Sequence, residues 1–136
     1  MLSRVADTLY WMSRFVERAE GVTRLVEIHR DTDLESDARS GNFGYWHSTL
    51  QSMCAKEQFE EDEIQGPDAF LLFSSQWNNS VINSVNSARE NARRVRDQLS
   101  EEIWVELNSL YHFLNSKNAI LEYQNDESSF FRRIIR

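Results

Sequence analysis

The chain has 136 residues, the length of one ordinary domain, and its 40% apolar and 27% charged residues are typical of a soluble globular protein. An aromatic content of 12% excludes wholesale disorder, while one proline and four glycines exclude a collagen, a flexible linker and most turn-dense β folds. A net charge of −7 excludes a general nucleic-acid binder, because most of the surface would repel phosphate.

The first predicted element is a long helix over residues 4–30, with Ser3 as its N-cap. Its apolar residues recur at a three-four spacing in two adjacent lines. The first line comprises Leu2, Val5, Leu9, Met12, Val16, Ala19, Thr23 and Val26, and the second comprises Trp11, Phe15, Val22 and Leu25. Because the two lines cover more than half of the circumference, we expect this helix to have neighbours on two sides, as in a bundle.

The middle of the chain is acidic and irregular. Residues 31–44 are predicted to form a loop, and Tyr45–Phe59 a second helix. Ten acidic and two basic residues lie within 31–68. This composition favours a solvated connection, and a docking surface for a basic partner is the alternative.

The clearest break in the chain lies within Glu60–Asp68, where Gly66 and Pro67 follow an acidic run. Proline is favoured at the first position of a helix because it has no N–H to leave unpaired there. We therefore expect a short helix over Asp68–Ser74.

Residues 79–99 are predicted to form the second strong helix. Its apolar line is thin, because its middle members are alanines: Val81, Val85, Ala88, Ala92, Val95 and Leu99. Ser100 is the predicted N-cap of a third strong helix, and the acids that follow it suit the positive end of the helix dipole. The predicted inward face of this third helix comprises Ile103, Trp104, Leu107, Leu110, Tyr111 and Leu114.

The last part of the chain is predicted to be helical as well. Lys117–Asn125 extends or restarts the preceding helix, and Asp126 or Ser128 caps a final helix that runs through Arg136. Its apolar residues are candidates for an interface: Phe130, Phe131, Ile134 and Ile135. Three alternatives remain open: this helix packs on the bundle, belongs to a longer chain, or forms a homo-oligomer.

No segment shows sustained alternation of apolar and polar residues, so the predicted class is all-α. We expect a single domain over 1–136, a bundle of about four to five helices with two or three long ones and an irregular acidic connection. No apolar run is long enough to span a membrane, and the N-terminus lacks the uninterrupted apolar stretch of a signal peptide. Cys54 is the only cysteine, which suits a reducing compartment, so we predict a cytoplasmic protein.

Motifs of common enzymes are missing from the sequence. There is no phosphate-binding glycine loop, no dinucleotide-binding fingerprint and no nucleophile elbow. Glu27 and His29 are one residue too close for the Glu-x-x-His pair of a di-iron bundle, and no Cys/His cluster fits zinc. We therefore expect neither a metal nor a cofactor.

Two helices carry a polar pattern that could have a function. Together they supply the candidate polar or ligand-binding network: Arg14, Glu17, Arg18, Glu20, Arg24, Glu90, Asn91, Arg93 and Asp97. Arg18 falls within the second apolar line, so it must reach solvent or find an acidic partner, either Glu17 or an acid of another helix. A faint repeat between residues 18–24 and 88–94 predicts that the two helices meet through this network.

On the 79–99 helix, the face opposite the apolar line carries more Asn and Ser than an exposed face usually does. Its members are Asn83, Asn86, Ser87, Glu90, Arg93, Arg94 and Asp97. Two interpretations stay open: a structural hydrogen-bond network between helices, or a site for an anionic or amide-bearing ligand.

The same two segments resemble the bacterial alpha-E domain family. LYWMSRFVERAE matches the family's opening motif at Leu9, Tyr10, Trp11, Met12, Ser13, Arg14, Glu17, Arg18, Ala19 and Glu20. The run from Ala88 to Asn108 matches its second motif, and FFRRII also fits. Family members are longer, so the chain is similar to their N-terminal half. The family name refers to helical glutamates, which map to Glu17, Glu20 and Glu90.

The resemblance implies a role in an amide-forming peptide or protein modification system, because members are usually encoded beside an ATP-grasp-type ligase and a transglutaminase-like protein. The first hypothesis is a non-catalytic accessory or scaffold of that system. The second is an enzyme of the same system that uses the helical Glu/Arg cluster as an acid or base. The third is a structural oligomerisation module.

Overall fold

A computed structural model describes residues 2–36, 50–53, 59 and 66–135 of the chain. The helices with defined bounds in these residues are α1 Leu2–Ser36, α2 Pro67–Phe73, α3 Val81–Arg94, α4 Glu101–Leu114, α5 Lys117–Asn125 and α6 Glu127–Ile134. A 3-10 turn, Arg96–Gln98, connects α3 to α4. No strand occurs in this part of the chain, so the predicted all-α class is confirmed.

Helix α1 is longer than its sequence pattern predicted. It begins one residue before the predicted N-cap Ser3, and it continues through Ser36 into the segment predicted to be a loop. Both predictions are wrong at these points. Residues 31–36 contain neither glycine nor proline, so nothing in them stops a helix that has already formed.

The signals for the start of a helix were accurate elsewhere. Pro67 occupies the start of α2, which begins one residue earlier than predicted. Ser100 caps α4 by accepting a hydrogen bond of 3.2 Å from the backbone N–H of Ile103. Asp126 caps α6 in the same way through the N–H of Ser129, so Asp126 rather than Ser128 is the cap.

The predicted 79–99 helix is shorter in the structure. Ser80 caps α3 through the N–H of Asn83, and the α-helix ends at Arg94 before the 3-10 turn. Residues 50–52 are helical, in agreement with the predicted helix Tyr45–Phe59, but most of that helix lies outside the described residues. Cys54 and the acidic residues 60–65 also lie outside them.

The contact between α1 and α3 is the most extensive between two elements of the structure. Both helices present small side chains to the core, and these are fully or almost fully buried: Ala19, Thr23, Ser84, Ala88 and Ala92. Small side chains allow two helix backbones to approach closely. The thin apolar line predicted for α3 is thus confirmed as its core face, with Val81 and Val85 also buried.

The hydroxyls in this contact differ in their hydrogen bonding. Thr23 donates from Oγ1 to the backbone carbonyl of Ala19 at 2.7 Å, within α1. Among the described residues Ser84 has no hydrogen-bond partner for its buried Oγ. An unpaired buried hydroxyl lowers stability, because it has given up water without replacement.

The last helix packs inside the molecule. Phe130 is fully buried, and Phe131 and Ile134 are 4% and 5% exposed. The Phe130 ring lies 5.2 Å from the ring of Tyr123 and 5.6 Å from that of Phe73. Of the three alternatives for this segment, packing on the bundle is the one observed for these three side chains, which leaves them little surface for an interface.

Helix length and hydropathy bear on membrane insertion. Within the described ranges, no helix combines the length and the apolar character that crossing a bilayer requires.

The unpaired hydroxyl of Ser84 makes a testable prediction. Replacing it by alanine removes the unsatisfied group and improves helix propensity, so we expect Ser84→Ala to raise the free energy of unfolding by about 1 kcal/mol. The matched control is Ser80→Ala, which removes the N-cap of α3 and should lower the same quantity by about 1 kcal/mol. Urea denaturation followed by circular dichroism measures both. A loss of stability in Ser84→Ala would contradict the prediction.

Candidate functional site

Large aromatic side chains lie on the solvent side of α1 rather than in the core. Tyr10 is 56% exposed and Trp11 is 44% exposed, although Trp11 belongs to the second predicted apolar line. The two rings meet edge to face with centroids 5.4 Å apart, and the ring of Phe15 lies 6.1 Å from that of Trp11. Edge-to-face contact between rings is favourable, and here it occurs on a solvent-exposed surface.

Charged side chains surround these rings. Arg14 pairs with Glu17 at 3.6 Å, and both side chains are more than half exposed. The guanidinium of Arg18 lies over the ring of Phe15, 5.3 Å from its centroid. We call this surface the α1 outer face, defined by Tyr10, Trp11, Arg14, Phe15, Glu17 and Arg18.

Arg18 does not pair with Glu17, one of the acidic partners that were predicted for it. Glu17 pairs with Arg14 instead, and no carboxylate of the described residues forms an ion pair with Arg18. A flat, weakly hydrated guanidinium can stack on an aromatic face, which accommodates Arg18 within an otherwise apolar line.

A second charged pair among the described side chains of α1 is weak. Glu20 and Arg24 approach to 4.0 Å in i, i+4 geometry, with side chains 37% and 55% exposed. Pairs of this kind contribute about 0.3–0.5 kcal/mol. They add to the stability of the isolated helix and do not join it to another element.

On α3 the polar residues pair within their own helix. Glu90 accepts hydrogen bonds from the guanidinium of Arg93 one turn later. This hydrogen bond, helped by the charges of Arg93, Arg94 and Arg89, lowers the pKa of the Glu90 carboxyl below its ordinary value. Asn91 donates to the backbone carbonyl of Ser87.

The predicted network is therefore not one cluster in the described structure. The ion pairs of α1 and of α3 each stay within one helix, and Asp97 lies exposed in the 3-10 turn. Although α1 and α3 do pack together, they meet through small and apolar side chains and not through glutamate and arginine.

Two asparagines of the polar face have structural contacts. The side-chain amide of Asn83 lies within 3.2 Å of the backbone carbonyl oxygens of Ser74, Ser75 and Trp77. Asn86 accepts a hydrogen bond from Asn115 at the end of α4. At these positions the structural interpretation of the polar face holds.

An arginine–aromatic cluster between α3 and α4 was missed by the sequence analysis. Arg89 donates to the side chain of Asn108, and its guanidinium lies 4.6 Å from the centre of the Tyr111 ring. Arg96 stacks on a second aromatic side chain of α4, with its guanidinium 4.7 Å from a ring centre of Trp104. Arg89 and Arg96 are seven residues apart, and this helical repeat could have predicted that they share one face. It could not have predicted their aromatic partners, because these belong to α4.

The described residues offer little for metal chemistry. Nowhere within them do three or more His, Cys, Asp or Glu side chains come together in a group that could hold an ion.

The pairing of Glu90 with arginine does not suit a proton-transfer role near neutral pH. Such a role usually needs a carboxyl pKa raised by burial or by a like charge, whereas the pKa of Glu90 is lowered.

The fold and this surface define a class of protein. It is an all-α domain whose long N-terminal helix presents aromatic rings and a Glu-Arg dipeptide on its outer face. The chain belongs to the Alpha-E family, described as a predicted alpha-helical domain with a conserved ER motif, whose model matches residues 1–136. The chain contains one Glu-Arg dipeptide, Glu17-Arg18, and it lies on the α1 outer face. No curated protein and no solved structure matches the chain.

The Glu90–Arg93 pair predicts a pH dependence. Because the pair lowers the pKa of Glu90 in the folded state, its contribution to stability is present above the unfolded-state pKa and is lost as pH falls through the folded one. We expect the carboxyl carbon of Glu90 to titrate below the ordinary value in an NMR pH titration. Arg93→Gln should move that midpoint upward, and Arg24→Gln, the matched change on α1, should leave it in place. Equal midpoints in the native chain and Arg93→Gln would refute the assignment.

Proposed function

We propose that this chain is an accessory or scaffold protein of an ATP-grasp-linked system that forms peptide or amide bonds, and that its α1 outer face docks on the ATP-grasp-type ligase. The partner class comes from the resemblance to alpha-E proteins, which are usually encoded beside such a ligase and a transglutaminase-like protein. The docking face comes from the geometry of α1.

The observation that carries the proposal is the exposure of the Glu-Arg motif. The side chain of Glu17 is 70% exposed and pairs only weakly with Arg14, so the pair contributes little to stability. A family motif that lay in the core would be explained by packing. A motif on the surface beside exposed rings is better explained by contact with another molecule.

The chemistry of the face also suits protein recognition. Tyr10 and Trp11 offer large, rigid apolar area, and Arg18 offers a planar group whose apolar face is already stacked on Phe15. Tryptophan, tyrosine and arginine are the residues most enriched among the contacts that dominate binding energy at protein interfaces.

The length of α1 explains why the α1 outer face is exposed to solvent. Its 35 residues span about 52 Å, whereas α3, the helix with which it makes its most extensive contact, has 14 residues and spans about 21 Å. A helix of this length cannot cover all of α1. The second apolar line is accordingly buried at Val22 and exposed at Trp11, eleven residues earlier.

The enzyme hypothesis receives less support from the same contacts. Glu90 is held by Arg93 with a lowered pKa, and Glu17 and Glu20 each lie against an arginine on an exposed helix surface. The lowered pKa of Glu90 means that its charged form is stabilised, which disfavours its use as a proton donor.

The proposal is tested with the purified chain and the ATP-grasp-type protein encoded nearest its gene. We expect a complex by size-exclusion chromatography and calorimetry. Trp11→Ala should weaken it by about 2 kcal/mol, roughly thirty-fold, because an interfacial tryptophan loses its buried area. Ile120→Ala is the matched control, since Ile120 is 46% exposed on α5, close to the 44% of Trp11.

Two results would overturn the proposal: no complex with the native chain, or equal weakening by Trp11→Ala and Ile120→Ala. A complex formed only with the transglutaminase-like protein would contradict the choice of partner. Arg18→Glu provides a second variant, which should abolish binding while leaving the helical circular dichroism spectrum unchanged.

A further inference from the structure

Arg18 carries a positive charge that no carboxylate of the described residues balances. Its neighbours on the α1 outer face, Arg14 and Glu17, form an ion pair with each other at 3.6 Å, so their charges offset one another. The Arg18 side chain contacts the ring of Phe15 and pairs with no described acid. Asp7 lies on the same side of the helix, but eleven residues, about 16 Å along the axis, separate it from Arg18. Arg18 is therefore available to an acid of another molecule.

The surroundings of Arg18 leave the hydrogen-bond donors of its guanidinium accessible. The group lies over the ring of Phe15, 5.3 Å from its centre, and the side chain is half-buried. Stacking covers a flat face of a guanidinium, whereas its N–H donors lie in the plane of the group and can still bind a carboxylate at the edge. A hollow of about 300 Å³ lies beside this side chain and is lined by Arg14, Glu17 and Arg18. Two of these three side chains are positive, so the hollow favours an anion.

Docking changes the environment of Arg18. This inference rests on the proposed function, in which a partner covers the α1 outer face. Arg18 follows Trp11 and Phe15 in the apolar line of that face, so a partner that covers the two rings also removes water from the guanidinium. A charge that loses water without gaining a counter-charge strongly disfavours binding. Since Arg14 and Glu17 already pair with each other, the counter-charge has to come from the partner.

We propose that the partner inserts an aspartate or glutamate side chain into this hollow and that its carboxylate pairs with the guanidinium of Arg18. Two parallel N–H···O bonds suit the planar edge of an arginine, and Phe15 supports the guanidinium from one flat face. A lysine or arginine of the partner in the same place would meet two guanidinium groups and be repelled. Trp11 precedes Arg18 by seven residues, so the partner presents this acid about 10 Å from the apolar side chain that covers Trp11.

The first measurement compares two arginines of α1 in the complex with the ATP-grasp-type protein. Arg18→Gln removes the unpaired charge, whereas Arg24→Gln removes a charge that already has Glu20 at 4.0 Å and lies on another side of the helix. Calorimetry should show at least ten-fold weaker binding by Arg18→Gln, because the carboxylate of the partner loses its counter-charge. Arg24→Gln should bind as the native chain does. Both variants should keep the native helical circular dichroism spectrum.

A second experiment identifies the carboxylate directly. Arg18→Lys keeps the positive charge and puts an amine at this position. A water-soluble carbodiimide joins an amine to a carboxylate without a spacer, because the activated carboxylate loses one oxygen to the urea by-product and forms an amide. Treatment of the complex should link position 18 to an aspartate or glutamate of the ATP-grasp-type protein, which mass spectrometry identifies. Arg24→Lys is the control, since its amine would lie near Glu20 and should link within the chain.

The outcomes separate this inference from the proposed function. A complex that Trp11→Ala weakens but Arg18→Gln leaves unchanged would overturn this inference alone. So would links from position 18 that reach only Glu17 or the partner's C-terminal carboxylate, no link at all, or equal linking to the partner by Arg18→Lys and Arg24→Lys. No complex with the native chain would overturn the proposed function, and this inference with it.

Discussion

The contact between α1 and α3 depends on side chains small enough for two helices to approach closely. Ala19 and Thr23 on one helix, and Ser84, Ala88 and Ala92 on the other, are all buried. Since α3 also packs on α2 and α4, this contact ties the N-terminal helix to the rest of the described structure. A larger side chain here would push α1 outward and disturb the contacts of α1 with α2 and α6 as well.

The difference in length between α1 and its neighbours divides the second apolar line of α1 into two environments. Near Val22 the line is covered, and near Trp11 it meets solvent. The exposed part coincides with the Glu-Arg dipeptide of α1, so the same side of one helix is buried near one end and open to solvent near the other. A hollow lined by Met12 and Val16, together with residues of α4 and α6, lies on a different side of α1. One helix thereby contributes to the core and to two separate surfaces.

The sequence predicted the helices well where a local signal determines them. Serine and aspartate caps, Pro67 at a helix start and the alanine line of α3 were read correctly, because each depends on residues within one or two turns. The end of α1 was misplaced, since the loop was predicted from Gly41 and Gly44, and no glycine or proline precedes them in residues 31–36 to stop the helix. Periodicity also placed Ile103 and Trp11 inward, because it identifies an apolar face without showing whether a neighbour covers it. Spacing along one helix does not determine which partner an arginine takes, so it did not predict the stacking of Arg18 on Phe15 or the contacts of Arg89 and Arg96. It also does not show where three elements meet, as they do at the hollow lined by α1, α4 and α6.

The amide of Asn83 has a consequence for the lifetime of the folded protein. It donates toward three carbonyl oxygens in the connection between α2 and α3, and these acceptors converge on one nitrogen. Spontaneous deamidation would replace that nitrogen by a carboxylate oxygen and would set a negative charge against three acceptors with no hydrogen between them. The side chain at position 83, which now holds this connection together, would then be repelled by the same three carbonyl oxygens.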